Sequence, residues 1–267
     1  MHAMTRFWRD PAMPYVESRR ACHSRACYKA HSHPTFSIGA VDQGGSRFTG
    51  AGTGPVALQA GTLVFVPAER VHACNPVADT PWSYQMLHLE AGWLRDLRRE
   101  YARGDGCEPV RIVRNPGLYG RFCRLNELLF SRSAVADKEA ALIEFIGDSD
   151  GARGLCIETS ASVPRQAGRL GEVLEWLRRD PIAERSLGEL AARAAMSRYQ
   201  LIRAFRALTG LTPHAWQLNQ RINIARGLVL AGEDLAQVAL RLGFADQAHF
   251  QRAFKAHTAT TPGLYRR

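Results

Sequence analysis

The sequence predicts an α+β fold built from two chemically different parts. Three observations lead to it. Residues 35–89 are short apolar runs broken by Gly, Pro and Asp, while the last hundred residues carry one helical segment twice, 49 residues apart. The positive charge is concentrated on that repeat: residues 164–267 hold 16 basic and 8 acidic side chains, out of 35 and 25 in a chain of net charge +10. A length of 267 residues is enough for two domains. The divisions expected are a strand-rich domain over 1–147, a linker over 148–166 rich in small and polar residues, and a helical domain over 167–267.

The N-terminal part reads as strands. Thr35 to Val41 ends at Asp42-Gln43-Gly44-Gly45, Gly54-Pro55 precedes Val56-Ala57-Leu58, and Gly61 precedes Thr62 to Val66. Trp82 to Leu89 alternates with period two. Strands of this length and spacing indicate a β-sandwich or barrel. Three amphipathic helices are expected to follow, over 92–102, 116–130 and 136–146.

The C-terminal part reads as helix, turn, helix, twice. Arg203-Ala-Phe-Arg-Ala, Thr209, Thr212 and Pro213 return as Arg252-Ala-Phe-Lys-Ala, Thr258, Thr261 and Pro262, and Ser197 falls on Asp246. Leu187, Leu190, Ala191 and Ala194 follow the 3- and 4-residue steps of one helix face. Ser197 can cap a second helix over 198–208, with Gly210 at its C-terminal end. The second copy has helices over 235–242 and 247–257, with Gly243 at the turn and Asp246 as cap. Pro213 to Ala231 is expected to be one long helix joining the units. In such a unit the second helix lies in the major groove of DNA, and its N-terminal residues reach base edges. Arg198, Tyr199, Gln200 and Arg203 in one copy, and Gln247, His249, Gln251 and Arg252 in the other, supply that outward polar face. Arg pairs two hydrogen bonds with guanine and Gln with adenine.

Residues 235–267, from Leu-Ala-Gln-Val-Ala-Leu-Arg-Leu-Gly-Phe through Thr-Pro-Gly-Leu-Tyr-Arg-Arg, closely resemble the signature of AraC/XylS-type transcriptional regulators. The resemblance implies two helix-turn-helix units entering successive major grooves about one turn apart. It places base readers at Tyr199, Ile202 and Arg203, and at Ala248, His249 and Arg252. The implied partners are double-stranded promoter DNA, a small-molecule effector, a second copy of the chain and RNA polymerase.

His31-x-His33, and Pro67-Ala-Glu69-Arg70-Val71-His72, resemble the two short motifs of the cupin jelly roll, which forms the sensor domain of many AraC-type regulators. The barrel is therefore expected to be cupin-like. Metal-binding cupins add a Glu to the first motif, and Thr35 to Ala40 hold no carboxylate. Three imidazoles can still hold a divalent metal, so His31, His33 and His72 are the candidate metal set. The effector is expected against His31, His33, Phe36, Ile38, Phe65, His72 and Met86, with Phe48, Glu69 and His88 as neighbours. The chain is read as a cytoplasmic regulator and not an enzyme. The competing reading is a metal-dependent cupin enzyme with a DNA-binding tail. No stretch approaches the ~20 apolar residues of a membrane span, the first ten residues are too polar for a secretory signal, and six scattered Cys read as free thiols.

Overall fold

The computed structural model describes residues 4–50, 54–77, 80–101, 108–152, 155–157 and 167–267. The chain forms two compact units. The first comprises 1–26, 33–70 and 74–159; the second comprises 160–267 with two short pieces of the N-terminal half, 27–32 and 71–73.

The first unit is built from β1 (Met4–Trp8), β2 (Val16–Ser24), β3 (Thr35–Gln43), β4 (Gly45–Thr49), β5 (Val56–Gln59), β6 (Thr62–Val66), β7 (Ala73–Pro76), β8 (Trp82–Glu90), α1 (Ala91–Glu100), β9 (Val110–Arg114), α2 (Pro116–Leu129), α3 (Val135–Asp150) and β10 (Leu155–Ile157). Seven strands form one sheet in the order β1-β2-β8-β3-β6-β9-β10, and β5-β4-β7 form a second. The expected barrel is corrected to two sheets that, among the described residues, do not close on one another.

Period-two alternation divides the large sheet into two faces. Phe36, Ile38, Leu63, Phe65, Leu87 and Leu89 pack with Leu118, Phe122, Leu125, Leu142 and Phe145 of α2 and α3. Val41, Val64, Val66, Tyr84 and Ile112 point the other way and join Phe48 and Leu58 of the small sheet.

The helix ends follow local chemistry. Glu90 caps α1 by accepting from the Gly92 and Trp93 amides, and Asn115 caps α2 from Leu118. α3 runs to Asp150, past its expected end at 146 and into the expected linker. The reason is Asp150 itself, which accepts two bonds from Arg98 (2.9 and 2.7 Å) and one from Tyr101 (2.6 Å). β10 also falls inside the expected linker, pairing Leu155 with Ile112 of β9. The rest of that linker, 153–154 and 158–166, lies outside the described residues. Cys22, Cys74 and Cys123 are free thiols, and burial pushes Cys74 up to about 12. Cys107 and the side chain of Cys156 lie outside the description.

The second unit is all helical apart from its two short pieces: α4 (Ala167–Arg179), α5 (Leu187–Arg193), α6 (Arg198–Thr209), α7 (Pro213–Leu230), α8 (Leu235–Arg241), α9 (Gln247–Thr258) and α10 (Pro262–Arg266). Leu170, Val173 and Leu177 of α4 close the first copy's core with Leu190, Leu201, Phe205 and Trp216. Val238, Leu242, Phe250, Phe254 and Tyr265 are buried in the second. No described helix is long and apolar enough to cross a membrane.

Candidate DNA interface and effector-binding face

Each recognition helix begins at a side-chain cap. Ser197 and Gln200 form a reciprocal capping box: Ser197 Oγ accepts from the Gln200 amide (3.2 Å), and Gln200 Oε1 accepts from the Ser197 amide (2.9 Å). The carbonyl of Gln200 is thereby engaged, and its amide nitrogen remains the outward donor. In α9 the Asp246 carboxylate accepts from the His249 amide (2.6 Å). α6 ends at Gly210 with φ 82°, and α9 ends at Ala259 with φ 56°. The left-handed position that glycine fills in one copy is therefore filled by alanine in the other.

The two copies are not in a single register. α5 and α8 begin 48 residues apart, at Leu187 and Leu235, whereas α6 and α9 begin 49 apart, at Arg198 and Gln247. The turns start alike: the Met196 amide donates to the Ala191 carbonyl (2.9 Å), as Phe244 does to Ala239 (3.0 Å). Ser197 follows Met196 directly, but Ala245 intervenes before Asp246. The second turn is one residue longer.

Arg198, Tyr199, Gln200 and Arg203 are exposed, and Ile202 is half-buried. Tyr199 is 66% exposed, a large figure for an aromatic ring in a helical domain. Its hydroxyl accepts from Arg203 Nη1 (3.0 Å), and the guanidinium lies 5.6 Å from the ring centroid. The pair, four residues apart, forms one ridge on the outer face of α6. In α9, Gln247, Ala248, His249 and Arg252 are exposed and Gln251 is half-buried. The His249 ring stands edge-on against Phe244 at 5.4 Å, which fixes its direction.

Three polar side chains of α7, whose individual roles the sequence analysis does not single out, hold this arrangement. Arg221 donates to the carbonyls of Pro181 (3.1 Å), Ile182 (2.8 Å) and Gly243 (3.2 Å). It thus ties the turn of the second copy to the segment that precedes the first. Gln217 donates to the Ala183 carbonyl (3.1 Å), and Arg226 donates to the Tyr265 hydroxyl (3.0 Å). At ~1.5 Å per residue, α7 is a spacer of about 27 Å. The available signal was a run of long polar residues on a helix whose apolar stripe was already assigned.

The effector candidates do not share one surface. Phe36, Ile38 and Phe65 are sealed against the helices, so their placement as lining residues beside Met86 is corrected by strand alternation. Met86 lies on the opposite face, between the sheets, with Val64, Val66, Tyr84 and Phe48. Gly39 makes room for it, since a Cβ there would meet Met86 Sδ at 2.9 Å. Ser37 sits on this same face, and its buried hydroxyl has no hydrogen-bond partner among the described residues. Arg19 is also buried on this face, 5.5 Å over the Tyr84 ring.

The three expected metal ligands divide between the units. His31 and His72 belong to the second, paired by a two-way backbone bridge (3.0 and 2.9 Å) with rings 4.7 Å apart. His33 belongs to the first, beside Thr35 and His88. His31 Nδ1 lies 2.8 Å from the Lys29 carbonyl, and His33 Nδ1 lies 2.8 Å from the Thr35 carbonyl. Each Nδ1 therefore carries the proton in the neutral ring, which places the lone pair on Nε2. Burial, with His72, His257 and Arg226 nearby, holds His31 well below the usual imidazole range.

The AraC-like ligand binding domain family matches residues 14–146, and a helix-turn-helix domain family matches residues 190–267. The chain is 35% identical over 105 residues to the HTH-type transcriptional regulator MtrA of Neisseria gonorrhoeae, covering 38% of this chain and 34% of that one. It is 22% identical over 248 residues to the uncharacterized HTH-type transcriptional regulator YbfI of Bacillus subtilis, covering 90% and 87%. The chain thus spans about a third of MtrA's length and most of YbfI's. The fold is that of apo ToxT K231A from Vibrio cholerae, with a TM-score of 0.60 at 14% identity over 94% of this chain and 96% of that one. With a ligand-binding domain and a helix-turn-helix domain that both match, the chain belongs to the AraC family of transcriptional regulators.

Proposed function

We propose that the protein binds an asymmetric promoter site through α6 and α9 and responds to a small organic effector held by its first unit. The domains follow as 1–147 for sensing and dimerisation, 148–166 as linker and 167–267 for DNA. The reading rests on one observation above others. Two capped helices carry an exposed Arg at the same position, Arg203 and Arg252, with different residues one turn before it: Tyr199, which accepts from Arg203, and Ala248. Shared Arg gives each helix a guanine-type donor fork, and the differing neighbours give each half-site its own preference. Ile202 and Ala248 offer only apolar contact, which suits a thymine methyl. Arg198, Gln200, Gln247 and Gln251 complete the two polar faces.

Selection of bound duplexes from a random pool, followed by titration of the best site, tests this. Arg203→Ala and Arg252→Ala should each cost roughly 1–3 kcal/mol on the selected site and relax base preference in one half only. Unchanged affinity and preference would remove both residues as readers.

The effector is proposed to lie on the face between the sheets, where Met86, Tyr84 and Val64 supply an apolar wall and Ser37 a polar atom. A thermal shift produced by a small organic ligand, and lost in Gly39→Leu, would support it. A divalent metal at His31 and His72, both in the second unit, is the second reading. Its support is that His31 anchors Nδ1 to the Lys29 carbonyl, the orientation that metal-ligating imidazoles require. Metal content of the purified protein against that of His72→Ala tests it.

A further inference from the structure

The two helix-turn-helix copies differ at one pair of surface positions, and the difference concerns charge. In the second copy Glu233 precedes α8 and pairs with Arg241 at its end, at 3.2 Å. The same two positions in the first copy, 48 residues earlier, are Arg185 and Arg193. An acid–base pair is replaced by two bases. The guanidiniums of Arg185 and Arg193 lie 4.0 and 4.8 Å from the centroid of the Trp176 ring on α4. In the first copy the partner of each arginine is an indole face, where Arg241 in the second copy has a carboxylate partner. Neither Arg is ion-paired among the described residues, and Arg185 Nε is buried without a hydrogen-bond acceptor among them. Glu189, the acidic neighbour of Arg185, is held in the Ser186 capping box.

A ring holds a guanidinium in place without neutralising it. Two cations are thereby kept close together with their charge intact, a receptor for an external anion. The first helix of a helix-turn-helix crosses the DNA backbone, and Arg193 closes α5, the first helix of its unit. We infer that Arg185 and Arg193, braced on Trp176, form a phosphate clamp that grips the DNA backbone beside the half-site read by α6, with no counterpart beside α9. The inference rests on the proposed DNA binding and adds to it a fixed polarity. The first copy contributes backbone affinity as well as sequence reading, and the second contributes sequence reading alone from these positions.

The test is the salt dependence of binding by the full chain to a mixed-sequence duplex of two to three helical turns, titrated between about 50 and 200 mM KCl. Each phosphate contact contributes about 0.9 to the slope of log K against log salt. Arg185→Ala and Arg193→Ala should each lower the slope by about 0.9, and by the same amount on any sequence. Arg185→Glu recreates the pair of the second copy, so it should keep the melting temperature while lowering the slope by about 1.8. Arg241→Ala, which breaks the neutral pair, should leave the slope unchanged. Wild-type slopes in the Arg185 and Arg193 variants overturn the clamp, as does an equal fall in Arg241→Ala. If those variants bind DNA normally but lose activation in a purified transcription reaction, the cations face an acidic protein and the clamp is again overturned. If the wild-type chain binds no duplex at all, the DNA-binding reading itself fails, a result distinct from the others.

Discussion

Replacing Arg221 by Ala removes the donor that three backbone carbonyls share. A hydrogen bond to a charged group contributes about 1.5–3 kcal/mol. Its bonds to Pro181 and Ile182 are half-buried, while the bond to Gly243 is exposed and screened. Counting only the two half-buried bonds at the low end gives a loss of about 3 kcal/mol. For a unit of about a hundred residues, that corresponds to a fall in melting temperature of about 12 °C or more. Arg221→Lys keeps the charge but replaces a planar fork with a single ammonium. It should recover about half the loss, because one nitrogen cannot serve carbonyls on both sides. Calorimetry on the full chain reads the melting of the helical unit. Titration against a selected duplex reads the consequence for DNA, because freeing Gly243 loosens the turn that aims α9. Arg221→Ala with unchanged melting and unchanged affinity would refute the view that this side chain sets the geometry between the copies.

Two further outcomes follow from local chemistry. Ala259→Gly should stabilise the helical unit by about 0.5–1 kcal/mol, since a left-handed alanine costs about 1–2 kcal/mol and the added freedom of unfolded glycine returns part of it. Denaturant unfolding that shows a loss instead would mean that the methyl group packs more than its half-buried position suggests. Glu90→Ala should cost the first unit about 1 kcal/mol near neutral pH through loss of the α1 cap. The Trp93 and Gly92 amides hold the Glu90 carboxyl below its usual range, so the folded state binds fewer protons than the unfolded one. The cap's contribution is complete above the unfolded value and disappears as pH falls through the folded one. Wild type and variant should therefore converge in acid, and a constant gap between their melting temperatures down to about pH 3 would count against this origin.

The helical half of the molecule was largely legible because its signals are local. Ser197, Asp246 and Gly210 stand where caps and stops belong, and Leu201, Phe205, Phe250 and Phe254 keep helical spacing. α4 was not read as an element, although Leu170, Val173, Leu174 and Leu177 carry the same periodicity. β1 and β2 escaped for a physical reason. β2 buries Ser18 and Arg19, polar groups that break the alternation a strand is read by. Ser18 donates to Asn126, 108 residues away, and the Arg19 guanidinium lies over the Phe7 and Tyr84 rings. No local pattern encodes such partners. Face assignment failed on β3 and β6 because both faces of the large sheet are apolar, so alternation could not show which side the helices cover.

The longer turn at Ala245 bears on any attempt to exchange reading heads between the copies, or between this protein and a relative. A splice made where the first helices align carries a frame of 48 residues, which sets Gln251 in the place of Arg203 and the buried Phe250 in the place of Ile202. One residue of slip rotates a helix by about 100°, enough to turn a base-reading face into the core. A splice made at the caps, Ser197 for Asp246, keeps Arg203 and Arg252 superposed. The two reading heads are thus exchangeable from the cap onward, whereas an alignment carried through from the first helices misplaces every reading residue by one position.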